Sequence, residues 1–413
     1  MIYEAALPAH TPLHKVLLYS HDTYGLGHLR RNLVIARQLL EGPRPPRVVL
    51  ASGSPVIDQM NLPDGLVCVQ LPPVVKTGDD EYRAIDPKIG ISLVRRARSA
   101  VLIDVIDRWR PDVFLVDHAP QGMKGELLPV FAALQSCSPR TKVVLGLRDI
   151  LDAPERVVAA WRDGRVYETL EAVYDRILVY GERDLFDLGS AYRIPEPVAS
   201  RLEYCGYVTG VGPERTVRAG RVALDEQYVL GTVGGGGDGV EVLMATARAA
   251  ASSGLRSVLC MGPLMPETDR RRLRSLAATV SGAAVVDHLR DLSDVAAGAR
   301  CVVSRGGYNS LCELVSMGVP TIVVPRAWPR SEQLLRARAF AARGLVDVVE
   351  DEGFDLAPRL SRVIATSTRT HGGSIRPLDM RGRERAVDSL RQVVGDHPWN
   401  AEERRGAPVG VPA

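Results

Sequence analysis

The segment Ser304-Arg305-Gly306-Gly307-Tyr308-Asn309-Ser310-Leu311-Cys312-Glu313-Leu314 follows the apolar run Cys301-Val302-Val303 and leads into a helical pattern. A short buried strand, a glycine turn and a helix start make one unit of a parallel α/β sheet. Asn309 and Ser310 are good N-cap types, so the helix is expected to begin at one of them. Its free N–H groups, approached through Gly306 and Gly307, suit an anion. Glu313 falls about one turn further on, toward the same end, where a carboxylate can bind both hydroxyls of a ribose; a solvated helix carboxylate is the plain alternative.

The same unit recurs outward in both directions. Upstream, a strand over 228–233 meets Gly234-Gly235-Gly236-Gly237-Asp238-Gly239 and a helix over 239–253. Without Cβ atoms, Gly235, Gly236 and Gly237 let backbone N–H groups approach a phosphate; a flexible turn is the alternative. Downstream, a strand over 321–324 enters the loop 326–332, and Glu332-Gln333 opens the next helix, as a cap or as a ligand. In the first half, strands are expected over 15–19, 47–51, 66–70, 113–117, 142–147 and 176–180, separated by helices such as 28–40, 91–109 and 126–135. The fold class is therefore α/β, with two doubly wound Rossmann-like parallel-sheet domains facing a central cleft at the carboxyl ends of their strands. The expected division is an acceptor-binding domain over 1–205, a donor-binding domain over 206–375, a helix at 376–396 packing back on the first domain, and a disordered tail over 397–413. The Pro- and Gly-rich stretches 192–197 and 206–213 read as the connection between domains.

Composition supports two ordinary domains: 413 residues, 46% of them hydrophobic, are enough for two cores. A formal charge of +3 gives no case for nucleic-acid binding. The six cysteines contain no CxxC pair and sit mostly in apolar runs, which predicts free thiols and a reducing compartment. No leader pattern and no run of spanning length is read, so the expected location is cytoplasmic, with peripheral membrane contact as an addition. That addition comes from the helix at 91–109, where Arg95, Arg96 and Arg98 lie near Ile89, Ile91 and Leu93. The preferred reading of this stripe is a core face with solvated arginines; the alternative is a membrane-surface patch for a lipid acceptor.

The first strand runs into Ser20-His21-Asp22-Thr23-Tyr24-Gly25-Leu26-Gly27-His28-Leu29-Arg30-Arg31. As a dinucleotide fingerprint it fails, because Arg30 stands where close helix–strand packing needs glycine. A neutral imidazole at His28, facing the cleft, could take a proton from an acceptor hydroxyl; capping or packing is the alternative. Asp117-His118 ends the strand over 113–117, and Asp117 is either the base itself or the group that orients a histidine; a structural turn is the alternative. His21-Asp22 and Arg148-Asp149 are further cleft-end pairs. P-loop and Gly-x-Ser-x-Gly signatures are absent, and Asp79-Asp80, the nearest acidic pair, lies in a polar loop.

The order Gly-Gly-x-Asn-Ser-x-x-Glu (306–313), Gly-x-Pro-x-Ile-x-x-Pro (318–325) and Glu-Gln (332–333) resembles the donor half of GT-B glycosyltransferases, in particular the bacterial group that forms lipid II. The resemblance implies that the glycine turns and the helix start at Asn309 and Ser310 hold a diphosphate, aided by Arg305. It implies that Glu313 binds ribose, that Glu332 and Gln333 bind the transferred sugar, and that His288 and Leu289 contact the base. His28 matches a cleft-facing histidine of the family. The family's first donor loop usually reads Gly-Gly-Ser-x-Gly; here Asp238 brings a carboxylate toward the phosphate position. The expected activity is metal-independent, inverting transfer from a nucleotide-sugar, UDP-linked before GDP or dTDP, to a small-molecule, lipid-linked or glycan acceptor. No cofactor is expected, since the nucleotide-sugar is a co-substrate. The alternatives are a nucleotide-sugar epimerase or hydrolase on the same scaffold, and a non-catalytic donor-binding partner of another transferase.

Overall fold

The structure, a computed structural model, describes residues 12–21, 27–76, 81–210, 228–287, 292–350, 356–366 and 377–395. In the first half, β1 (Lys15–Ser20), β2 (Arg47–Ser52), β3 (Leu66–Gln70), β6 (Val113–Asp117), β7 (Lys142–Arg148), β8 (Arg176–Tyr180) and β9 (Leu202–Tyr204) form one sheet. Its order is β3-β2-β1-β6-β7-β8-β9, and every pair is parallel. Between β3 and β6 a short antiparallel hairpin, β4 (Val74–Lys76) and β5 (Tyr82–Ala84), stands apart from the sheet. The second sheet joins β10 (Tyr228–Thr232), β11 (Arg256–Cys260), β12 (Ala283–Val286), β13 (Cys301–Ser304), β14 (Thr321–Val323) and β15 (Asp347–Val348). Its order, β12-β11-β10-β13-β14-β15, is again parallel throughout.

Strands this apolar form because both faces are covered by helices, and the inner strands are buried along nearly their whole length. In each sheet the order reverses beside the first strand: β1 lies between β2 and β6, and β10 between β11 and β13. At such a reversal the connections leave in opposite directions and open a crevice outside the strand ends. Register fixes which residues meet there, with Tyr19 beside Val116 and Thr232 beside Ser304.

One apolar cluster runs through both halves. It combines Leu18, Leu29 and Leu33 with Tyr308, Leu311 and Phe340, and with Ala386, Val387, Leu390 and Val393 of the last helix, Gly382–Gly395. Ser389 Oγ on that helix donates to Glu203 at 2.6 Å and accepts from Arg176 at 2.9 Å, both in the first sheet. The stretch 192–197 is not a connection between domains. β9 follows it and pairs with β8, so the first sheet extends to Tyr204 and the chain leaves it only afterwards.

The helix Ile91–Trp109 also departs from expectation. Ile89 and Leu93 are exposed, as are Arg95 and Arg96, while Val94, with Ile91 against it, packs into a small cluster with Val74, Ala84 and Met123, so only part of the stripe is a core face. Arg98 is instead fully buried, donating to Glu126 at 2.9 Å through Nη2 while Glu126 also accepts from Tyr19. A buried guanidinium with a buried carboxylate inside the first core is structural. No helix among the described residues is long and apolar enough to cross a membrane.

Candidate active site

The first helix, Gly27–Leu40, begins at the crevice of the first sheet, with His28 in its opening turn and Arg31 one turn later on the same face. Asp117, the last residue of β6, is buried below them. His28 Nδ1 lies 2.7 Å from Asp117 Oδ2. Arg31 donates to both carboxylate oxygens, at 2.7 and 2.8 Å through Nη2 and at 2.8 Å through Nε. Both oxygens are thus committed, which places the carboxylate to orient His28. Arg31 Nη2 also lies 3.2 Å from Nδ1, but the carboxylate is closer at 2.7 Å and favours the proton on that nitrogen, the tautomer that leaves the Nε2 lone pair free.

Electrostatics favour the same state. Burial lowers the His28 pKa below the ordinary histidine value and outweighs the opposing pull of Asp117, while Arg31 and Arg148 lower it further. Burial alone would raise Asp117, but Arg31 and His28 outweigh it and hold the carboxyl below its usual range. His118, directly after β6, has a left-handed backbone at φ 67° and its ring centroid lies 4.8 Å from that of His28. A non-glycine residue in that region is strained, as functional sites often are. Burial and the neighbouring Arg148 push its pKa well down, so it too is neutral. His21 is buried within 6.3 Å of His118, ring to ring. Asp22, like Asp79 and Asp80, lies outside the described residues. Among the described residues no group of three or more His, Cys, Asp or Glu could hold a metal ion.

Across the crevice, the helix Tyr308–Ser316 has Gly307 as its N-cap in place of Asn309 or Ser310, with no side chain to bond the helix end. That leaves the first N–H groups of the helix available. Asn309, freed from capping, donates through Nδ2 to the carbonyl of Gly27 at 3.1 Å, so the two helix starts face each other. Ser310 and Glu313 follow on the same helix, both partly buried. Gly306 has φ +76°, and a Cβ there would come within 2.6 Å of Val323.

The first glycine turn is built as tightly. Gly236 has φ +84° and its backbone lies against the chain at Met261, where an added Cβ would sit 2.0 Å from the Met261 carbonyl oxygen. Gly235 and Gly237 flank it in the turn between β10 and its helix, Val240–Ser252. Gly236→Ala is therefore expected to cost about 1–3 kcal/mol of stability and to displace the turn. Denaturant unfolding alongside a nucleotide titration checks both. Asp238 poses no unpaired charge to a phosphate: Arg305 Nη2 binds it at 3.0 Å and Arg326 Nη1 lies 3.7 Å away.

Glu332 is buried at the start of the helix Glu332–Ala342. Its Oε1 accepts from Arg326 at 3.2 Å, and its Oε2 is buried without a hydrogen-bond partner. Gln333 Oε1 accepts from the Arg326 N–H at 3.2 Å, which shapes the loop rather than capping the helix. His288 and Leu289 lie outside the described residues.

Three contacts that sequence reasoning missed tie the halves together. Arg336, fully buried, donates to Asp149 at 2.8–3.1 Å and to the Ile150 carbonyl at 3.1 Å. Ser331 donates to Asp152 through its backbone N–H at 2.8 Å and its Oγ at 3.0 Å. Tyr308 donates to the Tyr180 carbonyl at 2.9 Å, accepts from Val208 N–H at 3.1 Å, and has Arg31 and Arg336 5.7 and 5.5 Å from its ring centroid. Of these residues, Asp149 stood out by its place at a strand end and Arg31 by its spacing of three from His28.

Two parallel doubly wound domains, each presenting a helix start to a shared crevice, define the GT-B architecture. Residues 235–370 match the glycosyltransferase family 28 C-terminal domain, so the second domain carries the signature of that family. Over 144 residues the chain is 29% identical to a UDP-N-acetylglucosamine–N-acetylmuramyl-(pentapeptide) pyrophosphoryl-undecaprenol N-acetylglucosamine transferase of Rubrobacter xylanophilus. That match spans 35% of this chain and 41% of the relative, less than half its length. Among solved structures, MurG of Acinetobacter baumannii superposes with a TM-score of 0.56 at 13% identity, covering 92% of this chain and 100% of that one. A putative UDP-N-acetylglucosamine 2-epimerase from Listeria monocytogenes gives 0.60 at 11% identity, covering 92% and 96%. These two likenesses establish the fold alone.

Proposed function

We propose that the chain is a glycosyltransferase that moves a sugar from a nucleotide-sugar, UDP-linked in the first instance, to an acceptor hydroxyl with inversion and without a metal. The observation that carries this is the His28–Asp117 pair, its free Nε2 set across the crevice from the open N-terminus of Tyr308–Ser316. A base in one domain and an anion site in the other suit a single displacement. The acceptor hydroxyl gives its proton to His28 Nε2 as its oxygen bonds the anomeric carbon, and the bond to the diphosphate breaks on the opposite face. Backbone N–H groups at Gly235 and Gly237 and at Gly307, Asn309 and Ser310 stabilise the leaving diphosphate, with Arg305 nearby, while the Gly236 N–H donates to the Val233 carbonyl and holds the turn in shape. Glu313 takes the ribose, His288 and Leu289 the base, and Gln333 with the unpartnered Oε2 of Glu332 the hydroxyls of the sugar. The family 28 match over the second domain supports transfer over epimerisation, which the fold does not distinguish.

The acceptor enters from the first domain and is a small molecule, a glycan or a lipid-linked sugar. The exposed Ile85, Ile89 and Leu93 beside the exposed Arg95 and Arg96 support a cytoplasmic enzyme working at a membrane surface and so favour the lipid-linked class. Incubation with a panel of nucleotide-sugars and lipid-linked or soluble acceptors tests the reading. It predicts a glycosylated acceptor and stoichiometric release of nucleoside diphosphate without added metal. Interconversion of the free nucleotide-sugar with no acceptor product would instead make the protein an epimerase. Glu313→Ala should weaken nucleotide binding at least tenfold, measured by calorimetric titration.

A further inference from the structure

Arg148 ends β7 opposite Tyr180, one residue before the Asp149 that Arg336 occupies. It sits where both domains meet: its charge acts on His28 and His118 on one side, and it feels Arg336 and Glu332 on the other. The charged groups around it are engaged with other partners, although Glu332 keeps one buried oxygen unpartnered. Arg31 is paired with Asp117, Arg336 with Asp149, and Arg326 with Glu332. Arg148 has no ion-pair or hydrogen-bond partner among the described residues, and its Nε is buried without one. Two more guanidiniums, Arg336 and Arg31, repel it. Glu332 and Asp149 attract it, but neither makes a hydrogen bond or ion pair with it, and a partly buried guanidinium beside two like charges with no direct partner is costly to the fold. Burial, with Arg336 next, brings its pKa down to about 10, so it still carries its charge at neutral pH.

A guanidinium fork left open in a cleft binds carboxylate or phosphate in two-pronged fashion. Its strand belongs to the first domain, and the donor elements belong to the second. Building on the transferase reading, we propose that Arg148 receives an oxyanion, phosphate or carboxylate, carried by the acceptor next to the hydroxyl that His28 deprotonates. The acceptor class is thereby narrowed to anionic sugars or sugar phosphates, with neutral acceptors disfavoured.

The test uses the full chain with saturating UDP and three probes: glucose 6-phosphate, glucuronate and glucose. Calorimetric titration should show wild-type protein binding at least one anionic probe at least tenfold more tightly than glucose. Arg148→Gln should lose that preference, Arg148→Lys should keep part of it, and UDP affinity should change less than twofold in either. A thermal melt separates this from a structural role. Removing a partly buried cation that has no direct partner should leave Tm unchanged or raise it, whereas a guanidinium that holds the fold would lower it. Equal binding of glucose and both anions, or no anion binding at millimolar concentration, overturns the proposal. So does a loss of UDP-sugar rather than acceptor binding in Arg148→Gln, which would place the anion on the donor. If UDP itself does not bind, the transferase reading fails, and that outcome is separate from the others.

Discussion

His28→Ala is expected to lower turnover by a factor of about 10²–10⁴ while leaving nucleotide-sugar affinity nearly unchanged. The asymmetry follows from position, since His28 opens the first helix and the donor elements lie across the crevice. Asp117→Asn should act in the same direction, because an amide no longer holds the proton on Nδ1 and leaves Nε2 without a defined role. It also unpairs the buried Arg31, so its stability has to be measured beside its rate. The pH profile carries the sign. His28 works as the neutral base, and its pKa lies below the ordinary 6.5, so kcat/KM should stay flat through neutral pH and fall only as pH drops beneath that value. An acid limb above 6.5 would mean that a different group takes the proton.

The second large effect is expected at Arg336. Arg336→Met leaves Asp149 buried and uncompensated between the domains, which should cost about 3–5 kcal/mol in denaturant unfolding. The pair is almost wholly excluded from water, so little of this is screened by salt. Replacing both partners, Asp149→Leu with Arg336→Met, should recover most of the loss, because removing a buried pair together is far less harmful than halving it. A single-variant loss below about 1 kcal/mol would show that the pair does not clamp the domains. Tyr308 should feel the change too. Its ring lies against both Arg336 and Arg31, so the clamp at the domain interface touches the group that holds Asp117.

Most of the fold was legible because apolar strands, glycine turns and helix periods are local signals. β3, β6, β8 and β13 follow their apolar runs residue for residue, and the helix Ile91–Trp109 does the same. Where the reading slipped, a tertiary contact had won. Asn309 looked like an N-cap, but its side chain reaches the other domain, and Gly307 ends the helix instead. Arg98 looked like part of a surface stripe, but Glu126 draws it into the core. The stretch at 192–197 looked like a linker because its two prolines signal turns, without saying whether another strand of the same sheet follows.

The site divides along the same line. Glycine turns and Glu313 announce themselves by spacing within one short segment. His28 and Asp117 could be picked out singly, but their pairing spans 89 positions and the Asp149–Arg336 pair 187, distances over which one sequence carries no pairing signal. Arg148 appeared only as half of a dipeptide; what sets it apart is that the carboxylate beside it is already spoken for.

Calorimetric titration of UDP and UDP-sugars into wild-type, Glu313→Ala and His28→Ala protein tests the arrangement most directly. Binding by wild-type and His28→Ala with similar affinity, and at least tenfold weaker binding by Glu313→Ala, is the predicted result. No binding of any nucleotide or nucleotide-sugar to the wild-type protein, or a loss in His28→Ala with Glu313→Ala unaffected, would contradict a donor held in the second domain.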